Sequence, residues 1–387
     1  MNLIPEIVDR HGDLISWRHD LHRHPEIGFE EFRTAKVIAE KLTSFGIEIH
    51  EGFAKTGIVG VLRAGTSDRS VALRSDIDAL NLQEENTFDH RSVHDGKMHG
   101  CGHDGHATML LGAAQYLAAH PNFDGTVYFI FQPAEEAGNG GLQMIKDGLF
   151  DLVRSESIFG MHNLPGIEVG NFATRPGVFM ASMDLLEIDI QGSGGHGAMP
   201  HLARNPINGV CEIISSLNEF ARLGIDAQIP LAFSICQISG GHAVNVIPDK
   251  AKLAGSIRTY SDENQRLFEE AANRITDGIC AARNLEGDVK YEKLYPLLKN
   301  AEKETKIAGK VAAKVVGDDR VTIHSDPIMA SEDFAWMLNE KSGNYILIGN
   351  GTDSVSGCTV HNPNYDFNDE ILPIGATYWV ELVKEHL

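Results

Sequence analysis

The sequence is organised around residues 98–106, which read Met98-His99-Gly100-Cys101-Gly102-His103-Asp104-Gly105-His106. This segment combines a thiol with several imidazoles, and thiolate and imidazole are ligands that a zinc-like divalent ion prefers. Cys101 and His103 are two residues apart, so both side chains lie on one side of an extended backbone. Gly100 and Gly102 allow the backbone to bend so that the two side chains converge. The segment therefore predicts part of a metal site whose other ligands come from elsewhere in the chain.

Strands and helices alternate on both sides of this segment. The hydrophobic pattern predicts strands at 57–64, 70–75, 126–131, 157–161 and 344–348, and helices at 5–22, 32–45, 105–119, 139–147, 301–316 and 370–386. This alternation is typical of an α/β fold in which a mostly parallel sheet is covered by helices on both faces.

A different order begins near Leu185. The pattern there predicts strand, helix, two strands, helix and strand, at 185–191, 206–222, 231–238, 251–258, 261–283 and 287–292. That order is the ferredoxin-like βαββαβ arrangement. Since 387 residues exceed the size of one ordinary core, we expect a large α/β domain formed by 1–183 and 293–387. The inserted α+β domain would comprise 184–292.

The composition excludes several classes of partner. A formal net charge of −21 argues against a nucleic-acid surface, which needs clustered Lys and Arg. No run of apolar residues reaches the roughly 18 that a membrane span requires. The five cysteines are scattered and odd in number, which favours a reducing compartment. The amino-terminal residues do not resemble a signal peptide, so we expect a cytoplasmic protein.

Chemically reactive side chains follow the predicted strands of the larger domain. Asp76, the Glu135-Glu136 pair and His162 each lie at or just after the carboxyl end of a strand. Active sites of parallel sheets collect at this edge. Neighbouring carboxylates can divide the work there, because one can bind a metal while the other acts as a general base.

These groups supply more ligands than a single ion needs. The candidate donors are Cys101, His103, Glu136, His162 and His361. Five protein donors exceed the three of a typical catalytic zinc site. Two divalent ions that share a ligand, about 3.5–4 Å apart, account better for the set.

Motifs along the whole chain resemble the aminoacylase and hippurate hydrolase branch of the dinuclear metallopeptidase (carboxypeptidase/aminoacylase) superfamily. This branch also contains the hydrolases of indoleacetate–amino acid conjugates. The matching motifs occur in the family's order. They are His24-Pro-Glu-Ile-Gly-Phe29, Arg74-Ser-Asp-Ile-Asp-Ala-Leu80, residues 98–106, Gln132-Pro-Ala-Glu-Glu136, His162-Asn-Leu-Pro165, Gly194-Gly-His-Gly-Ala-Met-Pro-His201, Asn245-Val-Ile-Pro-Asp249, Met329-Ala-Ser-Glu-Asp-Phe334 and His361.

The resemblance implies a specific arrangement of metal ligands. Cys101 would bridge the two ions. His103 and His162 would complete one site, and Glu136 and His361 would complete the other. Zinc, manganese, cobalt and nickel all suit such ligands, so the sequence does not name the metal.

The resemblance also implies roles beyond the metal ligands. Glu135 would deprotonate the attacking water and then protonate the leaving amine, while Asp76 would support a ligand. In the family the smaller domain is a lid and dimerisation domain. There His196 would stabilise the oxyanion, in its own subunit or across a homodimer, and Asn245 and Arg258 would hold the substrate carboxylate. Arg258 could equally be an ordinary surface charge.

Two other segments receive supporting roles. We expect the additional histidines His90, His94, His99 and His106 to support the site or the fold rather than to bind metal. The segment Met329-Ala-Ser-Glu-Asp333 is expected to have a packing role.

The resulting prediction is an amidohydrolase that cleaves an N-acyl amino acid into a carboxylic acid and an amino acid. Two alternatives stay open from the sequence, a dipeptidase on the same scaffold and a metal-binding protein without catalysis. Glu135 argues against the second, because a closed metal site has no use for an additional carboxylate. The sequence does not identify the acyl group or the amino acid.

Overall fold

The computed structural model describes residues 1–136, 138–353 and 357–387. The chain forms two compact units. The first unit is built from Met1–Phe179, Lys299–Asp326 and Asp333–Leu387, and the second from Met180–Leu298 and Pro327–Glu332. The domain boundaries expected from the sequence, 183/184 and 292/293, stay a prediction for independently folding domains.

The helices lie close to the predicted positions. They are α1 Pro5–Val8, α2 His11–Arg23, α3 Phe32–Ser44, α4 His103–Ala119, α5 Gly140–Lys146, α6 Leu149–Leu152, α7 Pro206–Leu223, α8 Asp262–Arg283, α9 Glu302–Val316, α10 Phe334–Glu340 and α11 Leu372–His386. The predicted helix 5–22 is two helices, because the chain turns between Val8 and His11. Within the described residues, no helix is both long and apolar enough to cross a membrane.

The strands include several short ones that the hydrophobic pattern does not indicate. They are β1 Glu48–Phe53, β2 Gly57–Ala64, β3 Ser70–Asp76, β4 Gly125–Gln132, β5 Ser157–Pro165, β6 Phe172–Thr174, β7 Gly177–Met180, β8 Ser182–Gln191, β9 Gly195–His196, β10 Leu231–Gly240, β11 Val246–Ile247, β12 Lys250–Thr259, β13 Glu286–Tyr295, β14 Leu298–Asn300, β15 Val321–Ile323 and β16 Gly343–Gly351.

The large sheet of the first unit has the strand order β1-β2-β4-β3-β5-β16-β6-β15. Its centre, β4-β3-β5-β16, is parallel, whereas β1 and β2 are antiparallel additions at one edge. Every residue of β3, β4 and β16 is buried, as expected for strands covered on both faces. The carboxyl ends of β3, β4 and β5 therefore meet at one edge of the sheet, and the predicted α/β fold class is confirmed.

The start of α4 is packed closely against this edge. Gly102, just before the helix, has a φ of 93°, and a Cβ there would lie 2.3 Å from Asn163 Oδ1. A Cβ on Gly105 would lie 2.3 Å from the ring of Phe367. Only glycine fits either position. These glycines let the loop of Cys101 approach β5 and the carboxyl-terminal segment.

The second unit has an antiparallel sheet of order β10-β12-β8-β13. Apolar side chains of α7 and α8 pack with those of the sheet to form its core. Side-chain caps fix the starts of both helices, since Asn205 accepts from the Ile207 amide and Ser261 accepts from the Asn264 amide. The order β8-α7-β10-β12-α8-β13 is the predicted ferredoxin-like arrangement.

A buried ionic network joins α2 to α4 and to the carboxyl-terminal segment. The guanidinium of Arg18 is inaccessible to solvent. It lies 3.0 Å from an Asp104 oxygen and 3.1 Å from an Asp369 oxygen, and it also pairs with Asp366. His22 shares Asp104, at 2.8 Å. Burial alone lowers the pKa of His22, but the charge of Asp104 and hydrogen bonds outweigh burial and raise the pKa to about 9.

This pKa predicts a pH dependence of stability in the metal-free protein. Protonated His22 stabilises the folded state fully below the unfolded pKa of about 6.5, and this contribution is lost as the pH rises through about 9. Between these pH values, the loss of this one proton lowers the free energy of unfolding by up to about 1.4 kcal/mol per pH unit. Urea titrations at several pH values measure this effect. In His22→Gln, the urea concentration at the unfolding midpoint should therefore decline less steeply as the pH rises. His50→Gln, in the partly exposed strand β1, should leave the decline unchanged, and an equal decline in His22→Gln would contradict the assignment.

Candidate metal centre

Cys101 and His103 come together at the amino end of α4. Both side chains are buried. The Nδ1 atom of His103 lies 2.9 Å from the carbonyl oxygen of Asp78 and 3.1 Å from its Oδ1. Nδ1 therefore carries a hydrogen and donates it, so Nε2 is the nitrogen that could bind a metal ion once it has lost its own proton.

His162 is held in the same way on β5. Its Nδ1 lies 2.6 Å from the carbonyl oxygen of Asn163, so Nδ1 is the donor. Its Nε2 lies 3.3 Å from Cys101 Sγ. Burial and the nearby His106 hold the pKa of His162 well below its usual range, so the imidazole is neutral, as metal binding requires.

Glu135 and Glu136 lie in the loop that follows β4. Just before them, Ala134 has a φ of 53°, a left-handed conformation that costs a residue with a Cβ about 1–2 kcal/mol. The amide of Ala134 donates to Glu31 Oε1 at 2.9 Å, and the amide of Glu136 donates to Asp78 Oδ2 at 3.0 Å. Both ends of this tight turn are therefore anchored by carboxylates.

His361 belongs to a carboxyl-terminal loop that reaches the Cys101 segment. Its amide donates to the carbonyl oxygen of Gly100 at 2.7 Å, and its Nε2 lies 3.1 Å from Glu136 Oε1. The side chain is 52% exposed, in contrast to the other candidate ligands. A main-chain hydrogen bond thus positions a side chain that is otherwise open to solvent.

The candidate ligands form two overlapping groups of three. One consists of Cys101, His103 and His162, and the other of Cys101, Glu136 and His361. Within each group, the potential ligand atoms all lie within 4.8 Å of one another. Cys101 is common to both groups, and the family resemblance implies that it bridges the two ions; this ligand arrangement stays a prediction.

Glu135 is adjacent to these groups. Its carboxylate, that of Glu136 and an imidazole nitrogen of His103 also lie within 4.8 Å of one another. Glu135 is buried. The turn at Ala134 therefore brings both glutamates to the same place from consecutive positions in the chain.

The donor set fits divalent ions. Among the described residues, the buried atom His103 Nε2 has no hydrogen-bond partner, although such atoms are normally satisfied. Burial and the charges of Glu136 and Glu135 raise the pKa of the Cys101 thiol well above its usual range. Burial lowers the pKa of His103, but Asp76 and Asp78 outweigh it and raise the pKa to about 10. The surroundings thus favour positive charge, which a cation supplies.

Asp78 supports the candidate ligands more directly than Asp76, the carboxylate that we expected in this role. Asp78 orients His103 and also binds the amide of Glu136, so it contacts two candidate ligands. Asp76 instead binds His106 Nδ1 at 2.7 Å and Arg74 at 2.8 Å, and its Oδ2 is 3.9 Å from His103 Nε2. The Asp-x-Asp spacing could have suggested two supporting carboxylates, since Asp76 ends β3 and Asp78 lies two residues beyond it.

The other expected supporting residues have varied surroundings. His106 bridges Asp76 and Asn163, whereas His99 is buried and neither ring nitrogen has a hydrogen-bond partner among the described residues. The exposed His94 contacts His24, and His90 contacts Asp366. None of these four histidines belongs to the two overlapping groups.

The segment that ends at Asp333 contributes more than packing. Asp333 is fully buried, and its carboxylate accepts hydrogen bonds from Arg74, Gln132 and the amide of Gly141. Arg74 in turn pairs with Asp76. A residue about 200 positions after β4 in the chain thus fixes the ends of β3 and β4.

Three of the predicted site residues belong to the second unit. His196 and Asn245 are neighbours at the β9–β11 pair, where the Gly197 amide donates to the Asn245 carbonyl oxygen at 2.8 Å. His196 Nδ1 accepts from the Ala198 amide at 3.0 Å, so its Nε2 carries the hydrogen. Arg258, on β12, is half-buried and donates to Ser331 Oγ at 2.6 Å.

The sequence profile of peptidase family M20/M25/M40 matches residues 72–385. The chain belongs to this family. The chain is similar to a hippurate hydrolase of Campylobacter jejuni, with 40% identity over the full length of both chains. An N-acetylcysteine deacetylase of Bacillus subtilis is 34% identical over 96% of each chain. A crystal structure of a dinuclear metal binding peptidase of the M20 family from Bacillus subtilis has a TM-score of 0.82 and 32% identity, and covers 97% of this chain and 99% of that one.

These relationships confirm the family expected from the sequence, the fold class and the type of enzyme. This member of peptidase family M20/M25/M40 is a hydrolase that cleaves amide bonds, of the hippurate hydrolase type. The roles of individual residues remain predictions that rest on the geometry above.

The contacts of Asp78 generate a prediction for metal affinity in this family member. Asp78→Asn should weaken metal binding by about 10- to 100-fold, because groups that orient a metal ligand typically contribute that much. Calorimetric titration of the metal-free protein measures the effect. Asp147→Asn is a matched control, since Asp147 also accepts from a backbone amide, that of Ala54, at 2.7 Å. Equal affinities of both variants and the wild type would show that Asp78 does not orient the ligands.

Proposed function

We propose that the protein uses two divalent ions to hydrolyse the amide bond of N-acyl amino acids. The observation that carries this proposal is the pair of three-residue groups that share Cys101, with Glu135 beside them. Two adjacent ions with an additional carboxylate are suited to the activation of water. Both curated relatives named above act on such compounds, as hippurate hydrolase and N-acetylcysteine deacetylase.

The proposal assigns each ligand to one ion or to both. Cys101, His103 and His162 would hold one ion, and Cys101, Glu136 and His361 would hold the other. When bound, the ions polarise the substrate carbonyl and lower the pKa of water. Zinc, manganese, cobalt and nickel are all compatible with these donors, and their availability decides among them.

The remaining chemistry belongs to side chains of the protein. Glu135 removes a proton from the attacking water and delivers it to the leaving nitrogen of the amide. His196 stabilises the oxyanion, for which its tautomer is suited because Nε2 carries the hydrogen. Asp76 supports the site through Arg74 and His106, and Asp78 orients His103.

We assign the binding of the substrate carboxylate to the second unit. No carboxylate among the described residues pairs with Arg258, and burial lowers the pKa of its guanidinium. A half-buried guanidinium that lacks an anion favours a carboxylate ligand. Asn245, which is exposed, supplies a neutral hydrogen-bonding side chain for the same group.

We also propose a homodimer formed by the second unit. Its edge strand β10 has one unpaired side within the described sheet. The exposed apolar residues Ile238, Val246 and Leu223 belong to the same unit. An exposed strand edge with apolar neighbours is a common site of association.

All five cysteines are free thiols, which supports the expectation of a cytoplasmic location.

The proposed function is tested by metal removal and replacement. The metal-free protein should not hydrolyse hippurate, N-acetyl amino acids or an indoleacetyl amino acid, and activity on some of them should return with a divalent ion. Release of the free amino acid measures the reaction. Two unblocked dipeptides serve as comparison substrates. Cleavage of the dipeptides alone would replace this proposal with a dipeptidase, and metal binding without any turnover would contradict catalysis.

The roles of the adjacent glutamates lead to a second prediction. Glu135→Gln should reduce turnover by at least about 100-fold, because general acid–base catalysis typically contributes 10²–10⁴-fold, while both ions stay bound. Glu136→Gln should instead lose one ion. Metal analysis alongside the kinetics distinguishes these results. Loss of metal from Glu135→Gln would mean that the two glutamates have exchanged roles.

A further inference from the structure

A buried glutamate outside the ligand groups anchors the turn that carries Glu135. Glu31, just before α3, is inaccessible to solvent. Its Oε1 accepts from the amide of Ala134 at 2.9 Å, and its Oε2 accepts from Thr56 Oγ1 at 2.7 Å. The backbone of Glu31 is therefore fixed at the start of α3, and its carboxyl group is fixed by two hydrogen bonds.

Ala134 needs such an anchor because of its backbone conformation. A residue with a Cβ remains at a φ of 53° only where the surroundings enforce it. Ala134 is fully buried, and a Cβ added to Gly28 or to Gly138 would lie 3.0 Å from its own Cβ. The alanine is thus enclosed by two glycines and bonded to Glu31, and these contacts together hold its peptide in one orientation.

The two glutamates after Ala134 have separate anchors. The amide of Glu136 is bound by Asp78, whereas the amide of Ala134, the residue before Glu135, is bound by Glu31. A change at Glu31 should therefore act first on Glu135 and leave the metal ligand in place. This separation makes the two roles distinguishable by experiment.

We propose that Glu31 is a positioning residue that holds Ala134 in the left-handed conformation and thereby aims the carboxylate of Glu135. The proposal rests on the proposed role of Glu135 as general base. Small errors in the position of a catalytic group have large effects on rate. Glu31 therefore contributes to the turnover step rather than to metal or substrate binding.

The state of the carboxyl group guides the choice of variants. Burial, together with the charge of Asp78, raises the pKa of Glu31 to about 7. Both the acid and the carboxylate retain an oxygen that accepts from Ala134. Glutamine retains one as well, so Glu31→Gln should preserve the anchor, and Glu31→Ala should remove it.

The first test compares these variants after reconstitution with metal. Glu31→Ala should lower kcat by about 10- to 100-fold, with KM within about twofold of wild type and both ions still bound. Glu31→Gln should recover most of the lost kcat. The matched control is Glu304→Ala, because Glu304 is also buried and accepts from a hydroxyl, that of Ser157, at 3.0 Å. This control should lower the melting temperature without lowering kcat per metal-loaded enzyme.

Two further variants approach Ala134 from other sides. Gly28→Ala adds a Cβ 3.0 Å from that of Ala134, so it should also lower kcat with metal retained. Ala134→Gly, combined with Glu31→Ala, should restore part of kcat, because glycine adopts the conformation without an anchor. Gly28→Ala keeps Glu31 intact, so it tests the same peptide if Glu31→Ala does not fold.

Several outcomes would overturn the proposal. They are wild-type kcat in a folded Glu31→Ala, wild-type kcat in Gly28→Ala if Glu31→Ala does not fold, loss of metal from Glu31→Ala, or equal losses of kcat in the alanine variants of Glu31 and Glu304. The failure of the proposed function has a different signature, since the metal-loaded wild type would then fail to hydrolyse any N-acyl amino acid. An active wild type with an unaffected Glu31→Ala would reject the positioning role alone.

Discussion

The structure depends on the balance of charge at one edge of a buried sheet. Asp76, Asp78, Glu135 and Glu136 bring four carboxylates to the region where the Cys101 thiol is also buried. Buried charge is expensive unless it is paired. Arg74 pairs with Asp76 and Asp333 and so compensates part of the negative charge. The remaining charge explains why protonation of His103 is so favourable without metal, and why divalent cations suit the same place.

Segments that are distant in the chain contribute to this balance of charge. The first unit is assembled from three chain segments, and the last of them supplies both the anion that holds Arg74 and a candidate ligand, His361. Asp333 fixes the strand ends from one side, while Arg18 joins α2 to Asp104 and Asp369 from another. The polar interior thus connects distant parts of the chain. Removal of one member of such a buried pair typically costs about 3–5 kcal/mol.

The strand and helix pattern predicts most of this architecture because the buried strands are nearly continuous apolar runs. Strand ends and unusual residue types then indicate most of the candidate site. The pattern does not reveal Glu31, because its importance arises from the backbone conformation of Ala134, which is more than a hundred residues away. It does not distinguish Asp76 from Asp78 either, since only tertiary packing decides which carboxylate faces His103. The short strands β1 and β15 were not predicted, because their partly exposed residues do not form an apolar run.

The two ligand groups differ in how they are enclosed. Cys101 and His103 are buried and His162 lies on a central strand, whereas His361 is half-exposed on a loop and has a φ of 63°. Loops open locally at lower free energy than the core of a sheet. An ion held partly by His361 would therefore exchange with the surroundings faster than its neighbour. When metal is scarce, the enzyme would lose that ion first. Its activity would then depend on how much metal is available to refill this one site, while the other site remained filled.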